Sequence, residues 1–157
     1  MAYSYLESSC YGKDNVKFLK VVKNPKNEKD HEIMECNVQV LLKGQLDVSY
    51  TEADNKVIVP TDTVKNTILV LAKKNKIDTI EKFAALLALH FTKKYAHITG
   101  ASVKIIQQTW NKYHEHSFIH GGAETKEVEL EYDEAKPSEY KLVTTLKGLT
   151  VLKSTNS

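Results

Sequence analysis

Apolar and polar residues alternate with a period of two in the first part of the chain. A β-branched and aromatic run occupies 16–22, and a longer alternation occupies 34–42. The segment 24–27 between them reads NPKN and is rich in turn-forming residues. Period two places every second side chain on one face of a strand. The pattern therefore predicts two strands joined by a hairpin loop, with Gly44 permitting a bend or bulge after the second.

The apolar period changes to that of an α-helix after Pro60, which favours an extended conformation for the residue before it. Thr61 or Asp62 is a suitable N-cap for a first helix. A second helix is predicted to open at Asp78, with Glu81 three residues on in a capping-box-like pair. Apolar stripes at helical spacing mark the two helices, formed by Val64, Ile68, Leu71 and Ala72 in the first and by Ile80, Phe83, Ala84, Leu87, Phe91 and Tyr95 in the second.

Period two returns after Gly100 and continues through most of the remaining chain. Strands are predicted within 103–110, 127–132 and 140–152, the last with Leu142, Thr144 and Leu146 on one face. The order is then strand, strand, helix, helix, strand, strand, strand. Such an order favours an α+β fold, in which an antiparallel sheet carries both helices on one face.

Length and composition fit one globular domain. The chain has 157 residues, of which 41% are apolar and 27% charged, which is long enough for a core and too apolar for disorder. Residues 1–11 lack periodicity and are predicted to form a mobile N-terminal arm, which leaves 12–157 as a single domain. No apolar run approaches membrane-spanning length, and the first residues show no secretory signal. Since Cys10 and Cys36 are too few for a disulfide framework, we expect an intracellular, reducing compartment and no membrane partner.

All 22 basic residues are lysines, and the net charge is only +2. Lysine cannot imitate the flat guanidinium fork that binds carboxylates, phosphates and base edges in a bidentate way. The small net charge also argues against the basic stripe that nucleic-acid binding requires, so no nucleic-acid partner is expected. If this protein handles a planar anion, a group from outside this chain should supply the fork.

A histidine cluster is one candidate for chemistry. His114 and His116 lie two residues apart, on one strand face if that segment is extended, and His120 is near in sequence. A pair of imidazoles is a possible start of a metal site, but a third ligand is not specified. Solvated loop histidines are the better interpretation, and no metal is expected.

Two further candidates are the start of the first helix and a lysine before the first strand. The unpaired N–H groups at a helix start attract anions, and the Thr61 hydroxyl could relay a proton if a base adjoined it. The alternative is that Thr61 and Asp62 only provide the N-cap of the helix. Lys13 could be such a base if buried, or one more exposed lysine beside a strand.

Several motifs together resemble one enzyme family. They are YGKDNV at 11–16, SYT at 49–51 leading to Asp54-Asn55, VPTDTVKNT at 59–67, HSFI at 116–119 and LTVLKST at 149–155. In this order they resemble urate oxidase (uricase), most closely the yeast and fungal enzymes. The resemblance covers only the N-terminal half of that family. Its members run to about twice this length as two tandem T-fold units, each with the order ββααββ.

The resemblance implies oxidation of urate by O2 to 5-hydroxyisourate and hydrogen peroxide in purine catabolism, without metal or organic cofactor. It implies that Lys13 activates Thr61 in a proton relay and that Thr61 and the Asp62 N–H bind the substrate. The complementary groups in the family are an arginine, a glutamine, a phenylalanine, an asparagine and a histidine from further along the chain, which meet the first set across a subunit interface. The phenylalanine should follow almost directly after Ser157.

From this resemblance we expect a chain that is inactive by itself and associates with a C-terminal half and further copies, as a tetramer. A peroxisomal address, if the protein is fungal, would lie in that other half. Two alternatives stay open. One is a purine- or pterin-binding T-fold protein of other activity, similar to dihydroneopterin aldolase or a cyclohydrolase, which normally anchors its substrate with an acidic residue. The other is a non-catalytic fragment that only assembles.

Overall fold

A single antiparallel sheet forms the frame of the protein. The computed structural model describes residues 4–155, with the side chain of Glu28 excepted. Within that range the sheet has five strands, and each is hydrogen-bonded to the strand before it, so their spatial order is their chain order. The strands are β1 (Tyr11–Asn24), β2 (Asn27–Gly44), β3 (Ile98–His114), β4 (Ser117–Asp133) and β5 (Lys141–Lys147).

The helices lie between β2 and β3 in the chain and cover one face of the sheet. They are a short α1 (Asp47–Thr51), a single 3₁₀ turn (Asn55–Val57), α2 (Thr61–Lys74) and α3 (Ile80–Lys94). Helix α2 packs on β1, and α3 packs mainly on β3 and β4. The predicted α+β architecture, with both long helices on one face of an antiparallel sheet, is confirmed.

The core lies between that sheet face and the apolar stripes of α2 and α3. Period-two alternation brings Val38, Val40 and Leu42 of β2 to the helix side, where all three are fully buried. The α3 stripe packs against them, and the Phe83 ring meets the Phe18 ring of β1 edge to face at 5.9 Å. The helix layer does not extend over β5, and every residue of that strand is therefore exposed.

The predicted helix starts are each one or two residues in error. Pro60 occupies the N-cap position of α2, with φ −53° and ψ 137°, so Thr61 is the first helical residue and neither Thr61 nor Asp62 is the cap. For α3 the cap is Thr79, whose side chain accepts a hydrogen bond from the Lys82 N–H, and not Asp78. The ring of Pro60 sets an extended entry without a cap side chain, and threonine and aspartate are both among the preferred N-cap residues.

Other differences concern the lengths of the strands and the segment after β2. All five strands were predicted, but β1 to β4 extend further than their alternation indicated, and β5 ends at Lys147 rather than near residue 152. Residues 47–51, next to Leu46, form the short α1, a helix that the sequence pattern did not predict.

The N-terminal segment is partly described. Residues 4–10 contain no helix or strand. Residues 1–3 of the predicted arm lie outside the described residues, so the mobility of the arm stays a prediction. The assignment of 12–157 as one domain also stays a prediction. Within residues 4–155, no helix is both long and apolar enough to cross a membrane.

The two cysteines differ in their surroundings. Cys36 is buried in the core, where desolvation and then the neighbouring Glu35 carboxylate raise the pKa of its thiol to about 12. Cys10 is exposed just before β1, and both thiols are free. Cys36 is therefore an apolar packing residue and not a nucleophile at neutral pH.

A polar contact ties the start of α3 to the last two strands. The Glu81 carboxylate accepts a hydrogen bond from the Lys126 ammonium at 2.7 Å and from the Thr144 hydroxyl at 3.1 Å. Desolvation raises the pKa of this carboxyl, but the hydrogen bonds from Lys126, from the backbone and from Thr144 lower it by more, so the pKa is below its usual value. Glu81 therefore stabilises the fold in its charged form.

We expect Glu81→Gln to lower the free energy of unfolding by about 1 kcal/mol at pH 7. Because the folded-state pKa lies below the unfolded value of about 4.3, this stabilisation is complete above that value and is lost as the pH falls through the folded pKa. Urea unfolding of both variants from pH 7 downwards should show two curves that converge at acid pH. Glu115→Gln, in an exposed turn, is the matched control; a Glu81→Gln difference that is constant with pH would contradict the assignment.

Candidate active site at the start of helix α2

Strand β1 and helix α2 run side by side in the same direction because they are held at both ends. At the start, the Val59 N–H donates a hydrogen bond to the Tyr11 hydroxyl oxygen at 2.6 Å. At the end, the Lys20 ammonium donates to the carbonyl of Ala72 at 2.7 Å and to that of Asn75. The first residues of β1 therefore lie beside the first turn of α2.

These contacts place Lys13 and Thr61 at the same end and on the same side of the sheet. The register pairs Tyr11 with Leu42 and Lys13 with Val40. Both partners are fully buried under the helices, so Tyr11 and Lys13 share the helix-covered face. Lys13 follows Tyr11 by two residues, about 7 Å along a strand, and Thr61 follows Val59 by two residues. The Lys13 side chain is half-buried and makes no hydrogen bond or ion pair within residues 4–155.

The motif YGKDNV places Lys13 by three local features. Gly12 is needed because a Cβ there would lie 1.9 Å from the Val40 carbonyl oxygen. Directly after Lys13 the strand makes a β-bulge, because two residues, Asp14 and Asn15, lie opposite a single residue of β2. Asn15 adopts a left-handed conformation with a φ of 57°. The bulge corrects the alternation so that Val16 enters the core. Lys13 is thus the last residue of β1 before the bulge.

Helix α2 begins without a capping side chain. Its first intrahelical bond runs from the Val64 N–H to the Pro60 carbonyl, and within the described residues no side chain caps this end by accepting a hydrogen bond from its N–H groups. The N–H groups of the first turn therefore point outward, together with the positive end of the helix dipole. The Asp62 carboxylate turns to the Lys65 ammonium at 3.2 Å and leaves the Asp62 N–H available. Thr61 and Asp62 are both exposed.

The segment that leads to this helix start is fixed by its own polar side chains. The Ser49 hydroxyl donates to the Leu46 carbonyl at 2.7 Å, and the Thr51 hydroxyl donates to the Asp47 carbonyl at 3.0 Å. The Asp54 carboxylate accepts from the Lys56 N–H at 3.0 Å. The motif residues at 49–55 thus serve local structure and bring residues 58–61 to the start of β1.

Tyr11 supplies a neutral hydroxyl for its contact with Val59. Desolvation raises the pKa of this phenol, and the Val59 hydrogen bond lowers it by a smaller amount. The neighbouring Tyr95 and Tyr50 hydroxyls raise the pKa further. Tyr11 therefore stays protonated at all physiological pH values and accepts through its oxygen.

The histidine cluster lies at the other end of the sheet. His114 is the last residue of β3, and His116 lies in the turn to β4. The two side chains therefore do not share a strand face, as they would if the segment were extended. His116 lies against His31 at 4.6 Å between ring centroids, and His120 meets the Trp110 ring edge to face at 5.3 Å. Within residues 4–155, no group of three or more His, Cys, Asp or Glu side chains has an arrangement that could hold a metal ion.

Comparison with known proteins places the chain in a family. The family model described as Uricase matches residues 9–138. The chain belongs to the uricase family. The resemblance read from the sequence is thereby confirmed. The uricase of Cyberlindnera jadinii is 59% identical over 97% of this chain, and that of Aspergillus flavus is 44% identical over 98%.

Solved uricase structures show the same fold. The crystal structure of uricase from Arthrobacter globiformis superposes with a TM-score of 0.86 at 34% identity and covers 97% of this chain. This confirms the T-fold unit. The chain spans about half the length of the uricases it matches, 52% of the Cyberlindnera jadinii protein and 51% of the Arthrobacter globiformis chain.

The sequence motifs point to Lys13, Thr61 and Asp62 but indicate no separate role for Tyr11 or Gly12. Both stand inside the motif YGKDNV, so their presence was visible in the sequence. Their roles depend on a contact across 48 residues and on the close approach of β2, neither of which has a local sequence signal.

Proposed function

We propose that this chain is the N-terminal half of a urate oxidase and that it supplies Lys13, Thr61 and Asp62 to a shared active site. The single observation that carries the proposal is the open first turn of α2, with the amine of Lys13 on the same side and at the same end of the sheet. Membership of the uricase family supplies the substrate class.

The reaction we propose is that of urate, O2 and water to 5-hydroxyisourate and hydrogen peroxide, with no metal and no organic cofactor. The amine of Lys13 accepts the proton of the Thr61 hydroxyl, and Thr61 then passes protons between urate, O2 and water. The outward N–H of Asp62 donates a hydrogen bond to the urate anion, where the helix dipole favours negative charge.

The proposed site is incomplete without other polypeptide. The chain contains no arginine, so a bidentate clamp on the planar urate anion must come from elsewhere. Helix α3 leaves the helix side of β5 uncovered, where Leu142 and Leu146 are 40% and 58% exposed. We propose that a C-terminal half, as found in the full-length relatives, covers this side and supplies the clamp, and that further copies complete a tetramer.

The cellular setting is part of the same proposal. We expect this half to act inside the cell, and in a peroxisome if the source is fungal. The address for that compartment would belong to the C-terminal half.

Reconstitution tests the proposal. This chain is co-produced with the C-terminal half of the Cyberlindnera jadinii uricase, which gives an assembly that we call the reconstituted protein. We expect urate loss with equimolar peroxide release from the reconstituted protein and no turnover above background from either half alone. Size-exclusion chromatography reports assembly in each sample. An assembled but inactive protein would contradict the proposal and favour the non-catalytic alternative.

A further inference from the structure

The contact between Tyr11 and Val59 is the nearest link between the strand that carries Lys13 and the turn that carries Thr61. Its donor, the Val59 N–H, is two residues before Thr61, and its acceptor, the Tyr11 hydroxyl, is two residues before Lys13. Pro60 lies between Val59 and Thr61 and has no N–H of its own. The hydrogen bond at Val59 is therefore the last backbone attachment before the uncapped helix start.

We propose that Tyr11 is a positioning residue, which holds the Thr61 hydroxyl within reach of the Lys13 amine. The inference rests on the proposed function. The Tyr11 ring packs against the core and the Val59 side chain is 4% exposed, so both ends of the link are anchored. Thr61 and the Lys13 amine, in contrast, have no partner within residues 4–155 that would hold them together. Proton transfer requires its two groups within hydrogen-bond distance, and a displacement of about 1 Å can cost a factor of about 10² in rate.

Tyr11→Phe removes only the hydroxyl oxygen and keeps the ring that packs on the core. In the reconstituted protein we expect kcat to fall about tenfold or more with KM changed by less than about threefold, because the variant misplaces the relay and removes no group that binds urate. Tyr50→Phe is the matched control. It removes a hydroxyl that donates to the Cys10 carbonyl at 3.3 Å in the same neighbourhood, and we expect kcat within about twofold of the parent.

A double-variant cycle separates positioning from a general structural effect. If Tyr11 acts through Thr61, then Tyr11→Phe should change kcat by less than about twofold in a Thr61→Ala background. Effects that simply multiply would overturn the proposal, because they would show that Tyr11 acts on stability or on another step. A Tyr11→Phe variant with the kcat of the parent would overturn it as well.

Amide hydrogen exchange keeps this inference distinct from the proposed function. We expect the Val59 N–H to exchange at least about tenfold faster in Tyr11→Phe, while the Val64 N–H inside α2 stays protected. If the reconstituted protein fails to turn over urate, the proposed function fails, and exchange at Val59 still decides whether Tyr11 holds the helix start. Equal exchange at Val59 in both proteins would refute the positioning role.

Discussion

Lys13→Met is expected to lower kcat for urate about 10²- to 10³-fold in the reconstituted protein, the largest catalytic effect that we predict. Methionine keeps the length and apolar character of the side chain and removes the amine that we propose accepts the Thr61 proton. General acid and base groups contribute factors of about 10² to 10⁴, so the loss should appear in kcat rather than in KM. Steady-state urate oxidation, with peroxide measured in parallel, gives both constants.

Lys17→Met is the matched control for this prediction. Lys17 lies on the same strand but pairs with Asn37 on the face away from the helices, so its amine is remote from the Thr61 turn. We expect its kcat within about twofold of the parent. At the other end of the relay, Thr61→Ala should match Lys13→Met, and Thr61→Ser should recover most of the lost rate because it restores the hydroxyl. Equal losses in the Lys13 and Lys17 variants would contradict the relay.

Gly12→Ala should produce the largest structural effect. A Cβ at this position would lie 1.9 Å from the Val40 carbonyl oxygen and 2.8 Å from the carbonyl carbon, both in the backbone of the neighbouring strand. No rotamer change relieves such a clash, so β1 and β2 must separate around Lys13. We expect the free energy of unfolding to fall by about 3 kcal/mol or more, as measured by urea unfolding.

Gly121→Ala provides the comparison at the far end of the sheet. There the nearest atom to an added Cβ is the Thr109 methyl at 2.7 Å, which belongs to a side chain that can rotate, and the nearest backbone atom is at 3.1 Å. The loss of stability should be clearly smaller than in Gly12→Ala. Equal urea midpoints for Gly12→Ala and the parent would show that the strands do not approach so closely.

The sequence predicted the architecture because hydrophobic period and turn chemistry are local. Strict alternation in β2 and the apolar stripe of α3 reflect the single face that each element buries, and both are readable from neighbouring residues. The helix ends were less predictable, because Thr79 and Asp78 are both good caps and only the surrounding packing selects between them. The short α1 was missed because five residues carry too little periodicity to declare a helix.

The candidate site was predictable only in part. The residues of the proposed relay came from motifs shared with uricases, and the absence of arginine indicated a site completed from outside the chain. The role of Tyr11 could not be predicted, since it depends on α2 lying along β1. The histidines show the converse: His114 and His116 are close in sequence, yet the turn between β3 and β4 directs His116 to His31 on another hairpin.

A crystal structure of the reconstituted protein with a non-reactive urate analogue would show whether Lys13 and Thr61 meet beside the substrate. We predict a distance of about 2.7–3.2 Å between the Lys13 Nζ and the Thr61 Oγ1, with the analogue accepting a hydrogen bond from the Asp62 N–H. An Nζ to Oγ1 distance beyond about 6 Å in every protomer, or an analogue bound away from the start of α2, would contradict it.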